Sequence, residues 1–255
     1  MSAQIKVRGI VVDQTAMGEK DKRVVVLTRE MGKIPVMAKG AKSQAGRVAP
    51  SSDLFTVSDF VLERGRTFYY IKEYELLESF YSLRNDLDRL SYASILLEMS
   101  RLFSLDGEDN SDLFNLLVQG LAAMEKPESD ALTVSLTFMM RLLSDSGFTP
   151  ELSCCVSCGK PYEEEGDWSF GVTEGGLLCS TCTALKTVSR KYPLRPGSVA
   201  ALRFMVQAPP EKVYRFRISD QIRRELKAPI RRYAAVQAGV SLKTVEFAEN
   251  MESIG

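Results

Sequence analysis

At 255 residues, with 45% apolar and 26% charged side chains, the chain is long enough for one or two domains around a real core. It contains no histidine, which excludes Ser-His-Asp and Cys-His nucleophile systems, histidine acid–base work and any imidazole-ligated zinc. Net charge is zero, but residues 1–50 carry ten bases against four acids and residues 203–243 ten against three, on either side of an acidic middle. Two basic ends on a neutral chain suggest surfaces for polyanions.

The opening Met1-Ser2-Ala3-Gln4-Ile5-Lys6 alternates apolar and polar residues, unlike a signal-peptide core, and no apolar run approaches eighteen residues. A cytoplasmic protein with no membrane partner is expected. Residues 4–78 read as β. Ile5, Val7, Gly9 and Val11 share one face of a strand. Val24 to Leu27 and Lys33 to Ala38 follow, joined by a turn at Met31-Gly32. Pro35 predicts an edge or a bulge. A basic, Gly/Ser-containing loop spans 40–53. Leu54 to Glu63 and Thr67 to Leu77 are two longer strands hinged at Arg64-Gly65-Arg66. Five strands in this length suit a small closed barrel, an OB-fold first and an SH3-like barrel second.

At Asp86 the apolar period changes to 3.6. Leu87, Leu90, Ala93, Ile95, Leu97 and Met99 predict one helix, and Leu113 to Met124, capped by Ser111 or Asp112, a second. A third runs from Ser129 or Asp130 to Leu143 and stops at Gly147. After a polar segment (186–195), Pro196 opens a helix through Val206 that ends at Pro209-Pro210. A final helix starts near Ser219 or Asp220, with Ile222, Leu226, Ile230 and Tyr233 on its apolar side; Pro229 should kink or split it.

Between the helices lie Cys155-Val156-Ser157-Cys158 and Cys179-Ser180-Thr181-Cys182. Two C-x₂-C turns about twenty residues apart read as a tetrahedral Zn²⁺ site, because each turn converges two thiolates on one side of the backbone. Four cysteine ligands leave no open position, so one structural zinc is expected. Trp168 to Val172, a Gly175-Gly176 turn and Leu177-Leu178 form the hairpin that delivers the second pair. Cys154 is read as a neighbour, although it offers an alternative C-x₃-C spacing. The overall expectation is an α+β protein in parts: a β-barrel over 1–80, then a helical bundle domain over 81–255 with a zinc-binding insertion at about 152–186.

In this order of parts the chain resembles the RecO family of bacterial DNA repair proteins over nearly its whole length. The resemblance is carried by Gly32 to Ser43 (Gly-Lys-Ile-Pro-Val-Met-Ala-Lys-Gly-Ala-Lys-Ser), by the cysteine frame with Phe170 and Gly175-Gly176, and by Gly239-Val240-Ser241-Leu242-Lys243-Thr244. It implies a non-enzymatic, nucleoid-associated recombination mediator that binds single- and double-stranded DNA and anneals complementary strands. The implied partners are RecR, the C-terminal tail of single-stranded DNA-binding protein and, indirectly, RecA.

Candidate DNA contacts follow from the residues. Lys33, Lys39, Lys42 and Arg47 lie in or beside the basic loop, and Tyr70 of Phe68-Tyr69-Tyr70 is a possible stacking platform. Arg223, Arg224, Lys227 and Arg231 form a stripe on the last helix. The bland alternatives are a solvated loop, a core aromatic and the wet side of an amphipathic helix. An OB-plus-zinc RNA-binding protein is the rival function. Asp106, Glu108 and Asp109 look solvated, not like a nuclease Mg²⁺ site, and no G-x₄-G-K-[ST] loop is present.

Overall fold

The computed structural model describes residues 4–43, 47–185 and 190–253. Met1 to Ala3, Gln44-Ala45-Gly46 of the predicted basic loop, residues 186–189 of the predicted polar segment, and 254–255 lie outside them. The chain divides into two compact units, Met1–Pro127 and Glu128–Gly255.

The first unit contains β1 (Gln4–Met17), β2 (Asp21–Thr28), β3 (Gly32–Ala38), β4 (Thr56–Arg64) and β5 (Tyr69–Ser79), closed into a barrel in the order β1-β2-β3-β5-β4. This is the predicted OB-fold. β1 serves two partners: Gln4 to Ile10 pair with β4, and Gly9 to Met17 pair with β2. A bulge between Val11 and Asp13 bends the strand from one to the other. Inward-facing Val7, Val11, Val24, Val26, Ile34, Val36, Phe60 and Leu62 fill the core. Pro35 sits opposite Val25 of β2, while β3 meets β5 only at Val36 and Met37, so no ladder bond to β5 requires the missing proline N–H.

Two helices complete this unit, α1 (Leu87–Phe103) and α2 (Ser111–Glu125). Asp86 caps α1 by accepting from the Arg89 amide (3.1 Å). The cap of α2 is Asn110, one residue before the predicted pair. Its side chain instead braces the preceding turn, taking the Leu105 amide and donating to the Leu105 and Glu108 carbonyls. That turn lies against the barrel: the Asn110 amide reaches the Arg29 carbonyl (2.7 Å) and the Gly107 amide that of Met31 (3.1 Å). Gly32 has φ +65°, and a Cβ there would come within 1.9 Å of the Leu105 carbonyl oxygen. Only glycine tolerates both.

The second unit holds α3 (Ala131–Asp145), β6 (Trp168–Gly171), β7 (Gly176–Cys179), α4 (Ser180–Leu185), β8 (Lys191–Leu194), α5 (Pro196–Gln207), α6 (Asp220–Ala238) and α7 (Lys243–Glu252). Asp130 caps α3 and Ser219 caps α6, through the Thr133 and Ile222 amides. Pro196 stands in the first turn of α5. The predicted hairpin is a three-stranded sheet, order β7-β6-β8: β8 comes from the segment read as merely polar. Pro229 neither ends nor divides α6, which runs through it as one helix with the ring buried. The cost of the missing amide is offset by packing of the helix around Leu226, Ile230 and Tyr233. Among the described residues no helix is long and apolar enough to cross a membrane.

Candidate metal centre and nucleic-acid interface

The four predicted ligands come together. Cys155, Cys158, Cys179 and Cys182 place their Sγ atoms within 4.8 Å of one another. A tetrahedron with Zn–S of about 2.3 Å has sulfur–sulfur edges of about 3.8 Å, and Cys158 and Cys179 stand 3.8 Å apart. Gly159 (φ +74°) lets its amide turn back to the Cys155 carbonyl at 2.8 Å, closing the first C-x₂-C turn. β7 delivers Cys179, and the first turns of α4 deliver Cys182. Cys154 lies outside the cluster, with its backbone bridged to Pro161.

Electrostatics agree with a cation-binding role. Burial opposes ionisation of Cys155, yet the amides of Cys179, Cys158 and Ser157 outweigh it and lower the thiol to about 6. The Cys179 amide lies 3.4 Å from that sulfur. Cys182 is pushed up to about 12: a hydrogen bond with Ser157 favours its thiolate, but crowding by Cys158, Cys179 and Cys155, with burial, prevails. One thiolate forms easily and its neighbours resist a second negative charge, a frustration that a divalent ion removes. The residues present therefore fit a metal ion held by four sulfurs.

The centre is tied to the helices of its unit. Arg203 of α5 donates from Nε to the Leu152 carbonyl (3.0 Å) and lies over the Tyr162 ring (4.5 Å). Tyr162 in turn packs against Trp168 (centroids 5.2 Å). From α6, Tyr233 meets Phe170 edge-on at 5.4 Å and donates to the Phe148 carbonyl at 3.0 Å.

On the barrel, strand register assembles a row that no local pattern contains. Arg23 of β2 lies opposite Met37 of β3, and Met37 beside Tyr70 of β5. Val36 is buried and Tyr69 packs on the core, so the alternate residues Met37 and Tyr70 face outward. Lys39, just past β3, stands over the Tyr70 ring at 4.9 Å. Met37, Lys39, Tyr70, Ile71 and Lys72 line a shallow depression of about 260 Å³ together with Glu63, which pairs with Lys72. The exposed Arg64 ends β4, and the exposed Arg66 lies in the turn to β5. Lys42 is also exposed; its amide meets the Lys20 carbonyl (2.9 Å) and its ammonium that of Gly18 (3.2 Å), fixing the loop to the β1–β2 turn.

One of the predicted loop-side bases is placed differently. Lys33 points into the turn after α1, donating to the Arg101 carbonyl (3.1 Å) and pairing with Asp106 (3.5 Å). Arg47 is exposed, and its carbonyl accepts from Tyr74 (2.9 Å). Sequence reasoning passed over Arg23 and Lys72; the signal for both was outward parity on strands already recognised.

The predicted stripe on α6 is not one surface. Arg223 is clamped by Asp130 and Asp220. Lys227 pairs with Glu252 of α7 at 2.8 Å. Arg231, only 2% exposed, is held by Glu252 (2.7 Å) and Glu249 (3.8 Å), so a phosphate cannot reach it. Arg224 and Arg232 alone remain exposed on this helix's basic side.

A closed five-stranded barrel of OB-fold order, followed by a helical unit with four clustered cysteines that could hold a metal ion, defines a two-part class of barrel-and-helix proteins. The N-terminal pattern of recombination protein O matches residues 1–80 and its C-terminal pattern residues 84–246, so this chain belongs to the recombination protein O (RecO) family. It is 33% identical over 248 residues to the DNA repair protein RecO of Alkaliphilus metalliredigens, covering 97% of this chain and 99% of that one. Against the RecO of Desulforamulus reducens it is 32% identical, covering 96% and 94%. Against that of Bacillus pumilus it is 31% identical, covering 98% and 95%.

Proposed function

We propose that this protein is a DNA repair and recombination mediator that binds single strands across the outer surface of its barrel and anneals complementary ones. Family membership supports the repair role. The observation that carries the binding reading is the row Arg23–Met37–Tyr70 with Lys39 over the tyrosine ring. An aromatic platform accepts any base, while Lys39, Lys42, Arg47, Arg64 and Arg66 track the phosphates. Arg224 would supply a further contact in the second unit.

Annealing needs no catalytic residue under this reading. A positive surface holds two polyanions near each other and leaves their base edges accessible, and pairing itself supplies the driving force. The four cysteines would hold one Zn²⁺, which supplies fixed tetrahedral geometry and nothing to the reaction. Consistent with the family, RecR and the tail of single-stranded DNA-binding protein would be partners in loading RecA.

The deciding experiment measures annealing of oligonucleotides coated with single-stranded DNA-binding protein, with and without RecR, alongside metal quantitation. Annealing stimulated by RecR, with one zinc per chain, is expected. Failure to bind naked oligonucleotides at low salt, or equal use of a matched RNA strand, would defeat the DNA reading.

A further inference from the structure

β5 is two surfaces on one strand. Its first residues, Tyr70 and Lys72, belong to the basic row, but from Glu73 onward the character inverts. Glu73, Glu75, Leu76, Leu77 and Glu78 are all exposed, and no base occurs between Glu73 and Ser79. Along this half β4 is the only pairing strand among the described residues, because β3 leaves the ladder after Met37. The β3-side edge of residues 71–79 thus has no strand partner there.

A bulge explains the leucines. Ser58 of β4 lies opposite Leu76, and Val57 opposite Glu78, so Leu77 is an extra residue. The bulge breaks alternation, and both neighbouring leucines stay in solvent, 47% and 40% exposed. Isolated exposed leucines need no explanation, but a pair on an open edge of a folded barrel is a pairing hazard unless something covers it.

We infer that this half of β5 is a docking edge for an extended, basic-and-apolar segment of a partner protein, which adds a strand beside residues 71–79. Each part of the edge selects that occupant. Main-chain groups of residues 71–79 that lack a strand partner among the described residues suit an extended backbone, and Leu76 and Leu77 suit apolar side chains. Glu73 and Glu75 share a depression with Lys6, Arg8 and Arg29, but Asp59 already holds Arg8 and Glu30 adds a further acid, so with Glu78 the edge stays acidic and suits cations. The same glutamates repel nucleic acid. They also disfavour a second copy of this chain, since edge-to-edge pairing would set glutamate against glutamate. A mediator would thereby hold DNA and protein on opposite halves of one strand; the docking edge itself stands whether or not the barrel binds DNA.

The test uses the full-length protein and a labelled, end-capped heptapeptide alternating lysine with valine or leucine, followed by fluorescence anisotropy and amide hydrogen exchange. The peptide should bind and protect residues 71–79. A version N-methylated at alternate amides, which removes its main-chain donors, should bind at least roughly tenfold more weakly, and so should the variants Leu77→Asp and Glu75→Lys. Leu77 and Glu75 are exposed, and circular dichroism and oligonucleotide binding report whether the variants remain folded. No binding, equal binding of the methylated peptide, protection elsewhere, or concentration-dependent self-association of the protein would each overturn the inference.

Discussion

The barrel and α6 begin from nearly the same sequence signal, a run rich in lysine and arginine, and end in opposite states. On the barrel, Lys39 and Lys42 come to the surface on turns where their partners are carbonyl oxygens and an aromatic ring. On α6, Arg223, Lys227 and Arg231 meet carboxylates at Asp130, Asp220, Glu249 and Glu252. The difference lies in what packs against each element. A basic helix beside an acidic helix neutralises itself. The net charge of a segment describes a surface only when no neighbouring element supplies the counter-charge.

Four experiments would break or sharpen this contrast. The largest effect is expected from the metal centre. Cys155→Ser with Cys179→Ser, or chelation, should strip amide protection from residues 151–182, since structural zinc contributes about 10–16 kcal/mol apparent at neutral pH. Oligonucleotide binding should persist if the barrel carries it; loss in step with the metal would break the contrast. Next, Arg231→Ala removes the buried partner of Glu249 and Glu252; because both acids are partly exposed and Glu252 keeps Lys227, it should cost about 1–3 kcal/mol in denaturant unfolding. Its salt dependence of DNA binding should be unchanged, and a changed slope would return Arg231 to the interface.

Third, Tyr70→Ala should weaken single-strand binding by about 1–3 kcal/mol, the worth of one stacked base. Lys39→Glu should lower the slope of log K against log salt by about 0.7. Lys33→Ala, whose ammonium is engaged by Arg101 and Asp106, should leave that slope alone. The smallest effect concerns Arg8 on the barrel. Its guanidinium, hydrogen-bonded at 2.7 and 2.8 Å, holds the Asp59 carboxyl below the usual range. Stability from this pair is therefore present above the ordinary carboxylate value and is lost as pH falls through the lowered one. Exposure limits it to about 0.2–1 kcal/mol. Asp59→Asn should flatten unfolding free energy against pH below about 4.

Much of this architecture was legible in the residues, for reasons that can be named. Alternation with bulk apolar residues marked all five barrel strands, because one side of each must be buried. Asp130 and Ser219 marked their helices by capping chemistry, and the paired C-x₂-C spacing marked the clustered cysteines because each such turn converges two sulfurs on one side of the backbone. The rest was non-local. Tyr70 and Lys39 are thirty-one positions apart and meet only because β3 and β5 run side by side. α7 escaped notice because its charged, short sequence has few apolar positions, and with it went the acids that bury Arg231. β8 is four residues with a central proline, too brief for any period to show.

Gly32 carries a practical consequence. Its hydrogen atom is the spacer that lets the turn between α1 and α2 lie directly on the barrel wall, where that turn also donates to the Arg29 and Met31 carbonyls and receives Lys33. A fragment cut just after Phe80 would lose this lid, and with it the donors to the Arg29 and Met31 carbonyls and the acceptors of Lys33. Crystallisation or spectroscopy of the isolated barrel is better begun from a truncation ending at Pro127.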